Sequence, residues 1–217
     1  MLVTCAHCLK TPVYWAKTCF AHIPPEERDK WRADVLHDVF YYGGIGVPFP
    51  ECDFSGADFK KANLSRANLE RATLRAAKLA ETVFIEANLK GASLADADLF
   101  KANFSECKLD GADFAGARLE RCSVEGSDAA GARFDGAAFR SAICHGLHAN
   151  GGSFRACDLS DAVFTNADLT GADLTGCNVA RCDFSGATLT GCKVDGLVGL
   201  ALAITDSETV GREILGR

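Results

Sequence analysis

With three exceptions, Leu, Phe or Val stands at every fifth position from Phe54 to Val194, and neither ordinary backbone period supplies that spacing. In an α-helix a five-residue step turns the chain about 140° beyond a full circle, which smears Leu64, Leu69, Leu74 and Leu79 around the whole cylinder. In a flat strand five is odd, so the same leucines alternate between faces. The phase holds without insertion from Cys52 to Gly196, 29 consecutive pentapeptides whose centres are 13 Leu, 10 Phe and 3 Val, the exceptions being Ala129, Cys144 and Ala149. Two residues before the centre stands Ala in 18 units and Cys in 7, and the last residue of the unit is Gly in 14. A repeat kept this strictly has to be read before any local structure.

The unit suggests its own shape. In an extended trio, positions two apart point the same way, so Ala62 and Leu64 face inward while Asn63 faces water. Ser65 and Arg66 must then bend the chain before Ala67 restarts the pattern, and glycine suits the last of these positions because it tolerates positive φ. Each pentapeptide is one side of a closed coil. Coils must stack, because a lone coil leaves its backbone groups unpaired and buries nothing.

Units such as ADLFK, ANFSE, ADLTG and CDFSG follow the pattern A(D/N)LXX, and over 145 of the 217 residues the chain resembles the pentapeptide-repeat proteins. That resemblance implies an all-β solenoid, a right-handed, four-sided (quadrilateral) β-helix with twenty residues per coil and the central Leu or Phe stacked inside. The chain divides into an N-terminal segment (1–51), the repeat (52–196) and a C-terminal cap or dimerisation segment (197–217). No run of 18 or more apolar residues and no secretion-signal plan at the N-terminus point to a cytoplasmic protein.

Eleven cysteines acquire meaning only from the register. Cys52, Cys107, Cys122, Cys157, Cys177, Cys182 and Cys192 fall at the inner small position and Cys144 at a centre, so they read as buried small hydrophobes rather than disulfide partners. Cys5, Cys8 and Cys19 remain. In TCAHCLKTPVYWAKTCFAH, Cys5-x2-Cys8 is followed after a short loop by Cys19-x2-His22, two close pairs with the spacing of a tetrahedral structural zinc site. His7 is a competing ligand, and three free thiols with a surface histidine are the alternative. Four protein ligands would leave the ion no open position, so such a site staples the segment rather than catalysing anything.

IPPEERDKWRADVLHDVFYYGG reads as one helix: Pro24 and Pro25 suit its first turn, Glu26 and Glu27 its positive end, and Gly43 with Gly44 its stop. Its stripe of Trp31, Val35 and Val39, widened by Leu36 and Phe40, is expected to cover the first coil at Cys52 and Phe54. At the other end, LVGLALAI reads as a strand-like edge and SETVGREILG as a short helix capped by Asp206 or Ser207. Relatives that protect DNA gyrase often dimerise through such a segment, so the resemblance allows a homodimer through Leu200, Leu202, Ile204, Ile214 and Leu215; a monomeric cap is the equal alternative.

Function is left to the outer faces. The sequence displays neither a nucleophile, base and orienter set nor a glycine-rich phosphate loop, and His145 and His148, beside the irregular centres Cys144 and Ala149, read as packing detail, with Leu147 filling the space lost at Ala149. A non-enzymatic, protein-binding β-helix is the expectation. From Cys52 to Arg121 eleven acids meet eleven bases, whereas from Cys122 to Gly196 nine acids meet five bases. The resemblance makes the sharper form of the reading a DNA-mimicking protector of DNA gyrase or another type II topoisomerase against poisons. Asp128, Asp158, Asp161, Asp168, Asp173 and Asp183 would then be the partner-binding residues. The alternatives are a scaffold or regulatory module with an unrelated partner, and an ordinary solvated surface whose Asp and Asn serve the local backbone. Direct nucleic-acid binding is disfavoured because no basic stripe dominates, Lys60, Lys61, Arg66, Arg71, Arg75 and Lys78 forming only a local zone.

Overall fold

The computed structural model describes residues 23–216. One unit shows how the repeat becomes a coil. Ala62 and Leu64 are buried, and between them Asn63 points outward and pairs in parallel with Val83 on the next coil. The pairing is a two-bond exchange: the Leu64 amide donates to the Val83 carbonyl (2.7 Å) and the Val83 amide donates back to the Ala62 carbonyl (2.9 Å). The turn is closed by the Ala67 amide donating to the Leu64 carbonyl (3.1 Å). Arg66, at the third turn position, has φ 59°. The Asn63 side-chain oxygen accepts from the Ser65 amide (3.0 Å) and hydroxyl (2.6 Å), which holds the outward residue over its own turn.

Repeated every five residues, that unit builds a β-helix solenoid with four turns per coil. Parallel bridges twenty residues apart run in four columns from Pro48↔Asn68 to Asn178↔Val198. The ladder continues past Gly196, with Asp183↔Ile204 and Thr188↔Val210 offset by one and two added residues. From Pro48 to Val210 there are about eight coils, a prism roughly 40 Å long at ~4.8 Å per coil. Each of the 29 corners from Gly56 to Gly196 has positive φ, although only 14 are glycine. This backbone strains an L-residue by about 1–2 kcal/mol and strains β-branched side chains more. The other corners are accordingly Arg, Lys, Glu, Asp, Asn, Ser or Ala, with no Val, Ile or Thr among them.

The interior is a filled column. Phe84 and Phe104 stack at 4.7 Å with their planes 4° apart, and Phe114, Phe134 and Phe154 stack in series at 5.0 and 4.8 Å. Around the small centres Ala129, Cys144 and Ala149, Leu147 is fully buried and Phe139 packs against Phe134 and Phe154, which replaces the missing volume.

The inner small position also has a polar duty. The Thr82 hydroxyl donates to the Phe59 carbonyl (2.7 Å) and the Ser127 hydroxyl to that of Phe104 (2.6 Å). The thiols of Cys107, Cys157 and Cys177 donate in the same way to Phe84, Phe134 and Phe154, at 2.9, 2.9 and 2.7 Å. These cysteines are therefore more than small hydrophobes: they give a central carbonyl a second donor from the next coil. Burial pushes the Cys107 thiol up to about 12, so it stays protonated and donating.

At the N-terminal end a 3-10 turn, Pro25–Glu27, leads into helix α1, Arg28–Tyr42, which ends at Gly43 with φ 81°. Trp31 stacks on Phe54 at 5.8 Å, Val35 and Val39 are buried, and the Arg32 guanidinium donates to the Asp53 carbonyl (2.9 Å). Gly44 starts the first coil: a Cβ there would lie 2.7 Å from a Leu64 methyl and 2.9 Å from the Asn63 carbonyl oxygen.

The C-terminal end departs from expectation. Val198 and Ile204 join the ladder, but Leu200–Leu202 between them is a 3-10 turn. The helix expected after Asp206 is only a four-residue 3-10 turn, Arg212–Leu215, which follows Gly211. Asp206 caps a loop instead of that turn: its carboxylate accepts from the amides of Gly186 (2.9 Å), Glu208 (3.1 Å) and Thr209 (2.9 Å). The one carboxylate thus holds its own loop and ties it to the Gly186 amide one coil away.

Candidate functional site

The zinc set expected at Cys5, Cys8, Cys19 and His22, with His7, lies outside the described residues. Among the described residues no three or more His, Cys, Asp or Glu side chains form a group that could hold a metal ion. No helix among them is long and apolar enough to cross a membrane.

The six acidic residues expected to meet a partner are separated by the fold. Numbering the faces by their bridge columns, face one runs from Asn63 to Ile204, face two from Pro48 to Val210, face three from Asp53 to Lys193 and face four from Asp58 to Val198. Asp183 lies on face one, Asp128 and Asp168 on face two, Asp173 on face three, and Asp158 on face four with Asp161 at its corner. A step of five residues is a quarter turn, so sequence neighbours such as Asp168 and Asp173 point to different sides.

Most of these carboxylates also have structural work. Asp158, Asp168, Asp173 and Asp183 each accept the backbone amide two residues ahead, at 3.1, 3.0, 3.0 and 2.9 Å. Asp158 pairs with Arg140 (2.8 Å), Asp161 with Arg181 (2.5 Å) and Asp173 with Lys193 (3.7 Å). The Thr170 hydroxyl and amide hold the Asp168 carboxyl below its ordinary range, and Thr175 does the same for Asp173. The Arg181 guanidinium lowers that of Asp161.

Grouped by face, the charge has a pattern that neighbour-by-neighbour reading misses. Between Arg66 and Asp206, face one carries that arginine against Glu86, Glu106, Glu125, Asp183 and Asp206, whereas face four carries eight bases against six acids from Asp58 to Arg181. Glu106 and Glu125 were not among the expected residues. Counting by twenties would have found Glu106, because 86 and 106 share a corner, and Glu125, which stands one place before the next residue of that corner.

The same face holds most of the lateral apolar exposure. Ile143 is 47% exposed and bridges to the half-buried Val163, and Ile204, also 47% exposed, lies two coils further on. His145, beside them, shares a hydrogen bond of 2.8 Å with the Thr165 hydroxyl on the next coil, so it ties two coils across a flat, exposed face. His148 stands on face two between Asp128 and Asp168 in the ladder.

The last coil presents an open rim. Inner coils pair the amide following each bridge residue and the carbonyl preceding it with the coil above. At the end, among the described residues, the Gly199, Thr205 and Gly211 amides and the Leu197, Ala203 and Thr209 carbonyls have no such backbone partner. Val198, Leu202, Ile204 and Val210 surround that rim, 60%, 56%, 47% and 53% exposed. Of the residues expected to join two copies, Leu202 and Ile204 are thus outside, while Leu215 is buried at 3% exposure and covers the interior.

A family model described as "Pentapeptide repeat region" matches residues 64–134. A second, "Pentapeptide repeats (8 copies)", matches residues 49–75, 117–155 and 157–196. No curated protein matches the chain. Among solved structures, full-length QnrB1, a plasmid-mediated fluoroquinolone resistance protein, is 20% identical over 78% of this chain and 85% of its own, with a TM-score of 0.39. HetL, a pentapeptide repeat protein involved in heterocyst differentiation regulation from the cyanobacterium Nostoc sp. strain PCC 7120, is 21% identical over 82% of this chain and 98% of its own, with a TM-score of 0.31.

Proposed function

This chain belongs to the pentapeptide-repeat family, and from that premise we propose that it works as a non-enzymatic rod that binds another protein through an outer face. The observation carrying this reading is how the side chains are used: the inward ones fill the column, and most outward carboxylates are committed to turns and ion pairs. A surface of that kind is suited to recognition rather than bond-making chemistry. The test is mild isolation of the tagged chain from its own cells, followed by native mass spectrometry. A stoichiometric complex with a second protein is expected; recovery of the chain alone, or with a small molecule that it turns over, would contradict the reading.

The excess of acids from Cys122 to Gly196, nine against five, favours one sharper version, a DNA-mimicking protector of DNA gyrase or topoisomerase IV against poisons. Its dispersal over four faces counts against it, since duplex DNA presents a charge every ~1.7 Å. Supercoiling assays with a gyrase poison decide the matter. Changing Asp158, Asp168 and Asp173 together to Asn should abolish protection, and changing Asp53, Asp58 and Asp113 should not. Equal effects, or no protection at any concentration, leave the scaffold reading. The open C-terminal rim supports a homodimer stacked end to end through Val198, Leu202, Ile204 and Val210. For the N-terminus the reading is a structural zinc held by Cys5, Cys8, Cys19 and His22. It predicts about one zinc per chain and its loss in Cys8→Ser without unwinding of the coils.

A further inference from the structure

Face one is complementary to itself, and we infer that it is a lateral contact between two copies of this chain, packed side by side and antiparallel. The observation is the order of charges along the two corners that bound the face. At the corner entering face one, successive coils carry Lys61, Glu81, Lys101, Arg121, Ser141, Asp161 and Arg181; at the corner leaving it stand Arg66, Glu86, Glu106, three Gly and one Asn, and finally Asp206.

A two-fold axis lying across the face, at right angles to the rod, keeps each corner against the same corner of the second copy and reverses the order of coils. Only the register of the axis is then free. With the axis between the coils of Ser123 and Ile143, Lys101 faces Asp161, Glu81 faces Arg181, Glu125 faces His145 and Arg66 faces Asp206. The remaining corner positions set Lys61 against the exposed Leu202, Arg121 against Ser141, Glu86 against Gly186, Glu106 against Asn166 and Gly126 against Gly146. No like charges meet. Shifting the axis by half a coil or a whole coil toward the N-terminus sets Arg121 against itself or against Lys101; the same shifts toward the C-terminus set Lys101 or Arg121 against Arg181. One register survives of those that keep most of the face covered.

That register also places the exposed apolar residues well. Ile143 of each copy lies beside the axis against Ser123, so the two isoleucines are close neighbours, and Val163 covers Asn103. The least favourable pairing sets Asp183 against Val83. Asp183 keeps its hydrogen bonds to the amide and hydroxyl of Ser185 there.

The occupant is a second copy because the complementary pattern is already present, in order and in spacing, on this molecule. Seven coil steps give a strip about 34 Å long. At about 15 Å wide it buries about 500 Å² per copy, below the ~800 Å² of a standard stable interface. The contact is therefore weak and salt-sensitive, and it assembles rods at high local concentration. It is independent of the protein-partner reading above and survives its failure.

The experiment is sedimentation velocity on the full chain in a Val198→Lys, Val210→Lys background, which removes end-to-end stacking from the readout. Dimers that dissociate with rising salt are expected in the range of about 0.1 to 1 mM. Lys101→Asp alone and Asp161→Lys alone should each weaken association about tenfold or more, because each reverses two symmetry-related contacts. The two together should restore it, and Ile143→Asp should abolish it. A monomer at every concentration, or a double swap no better than the singles while circular dichroism reports an intact coil, would overturn the inference.

Discussion

Replacing Phe104 with alanine should cost about 4–5 kcal/mol, the upper part of the ~3–5 kcal/mol range for a buried phenylalanine. The side chain is 0% exposed, stacks on Phe84 at 4.7 Å and meets Phe114 edge-on at 5.7 Å. Such ring pairs contribute about 0.5–1.5 kcal/mol each beyond area. The cavity cannot close easily, because the backbone is pinned from both neighbouring coils: the Phe104 amide donates to Ser123 (2.7 Å) and the Asn103 amide to Thr82 (2.9 Å). The assay is chemical denaturation followed by far-ultraviolet circular dichroism, with Lys108→Ala as the surface control, expected to change stability by less than about 0.5 kcal/mol. Against a typical domain stability of about 5–15 kcal/mol, the core variant should lose a third or more of the total or fail to fold. Equal midpoint shifts in the two variants would refute the inward placement of the centres.

Thr82→Val keeps the shape and removes the hydroxyl bonded to the Phe59 carbonyl, which still accepts from the Ala62 amide; a loss of about 1 kcal/mol in the same denaturation assay is expected. Gly176→Ala should cost about 1 kcal/mol through its φ of 73° alone, because a Cβ there meets nothing closer than 3.9 Å, and Gly176→Val should cost more. Acid should destabilise the coil. Hydroxyl and amide donors lower the carboxyls of Asp168 and Asp173, so their contribution is present above the ordinary carboxylate range and is lost as pH falls through the depressed folded values. Thermal melts should therefore decline below about pH 4, and less steeply when both residues are Asn.

The fold was legible because a five-residue phase kept for 29 units admits few structures. The outward Asp and Asn were legible as turn-holders, since the same offset to the next amide recurs from Asp53 to Asp183. The grouping of charge was harder to see. Asp158, Asp161, Asp168 and Asp173 crowd together in sequence, and the quarter turn per unit sends them to three faces, while Glu106 and Glu125 come to share face one with residues eighty positions away. The cysteine thiols were read by size alone, because their bonds to Phe84, Phe134 and Phe154 depend on the position of the coil before. Asp206 misled for the same reason: besides its local donors on Glu208 and Thr209 it accepts the amide of Gly186, twenty residues upstream.

The central claim is that an outer face of a filled prism does the work. Photo-crosslinking in the native cell tests it most directly, with the reactive side chain placed in turn at Ile143 on face one, His148 on face two, Ser93 on face three and Ala138 on face four. The account predicts an adduct of defined mass with a protein other than a second copy of this chain, from one face or two adjoining faces, lost when charges on that face are reversed and unaffected by reversal on the opposite face. Adducts with no protein from any face, or adducts equally abundant from all four and indifferent to charge, would contradict it.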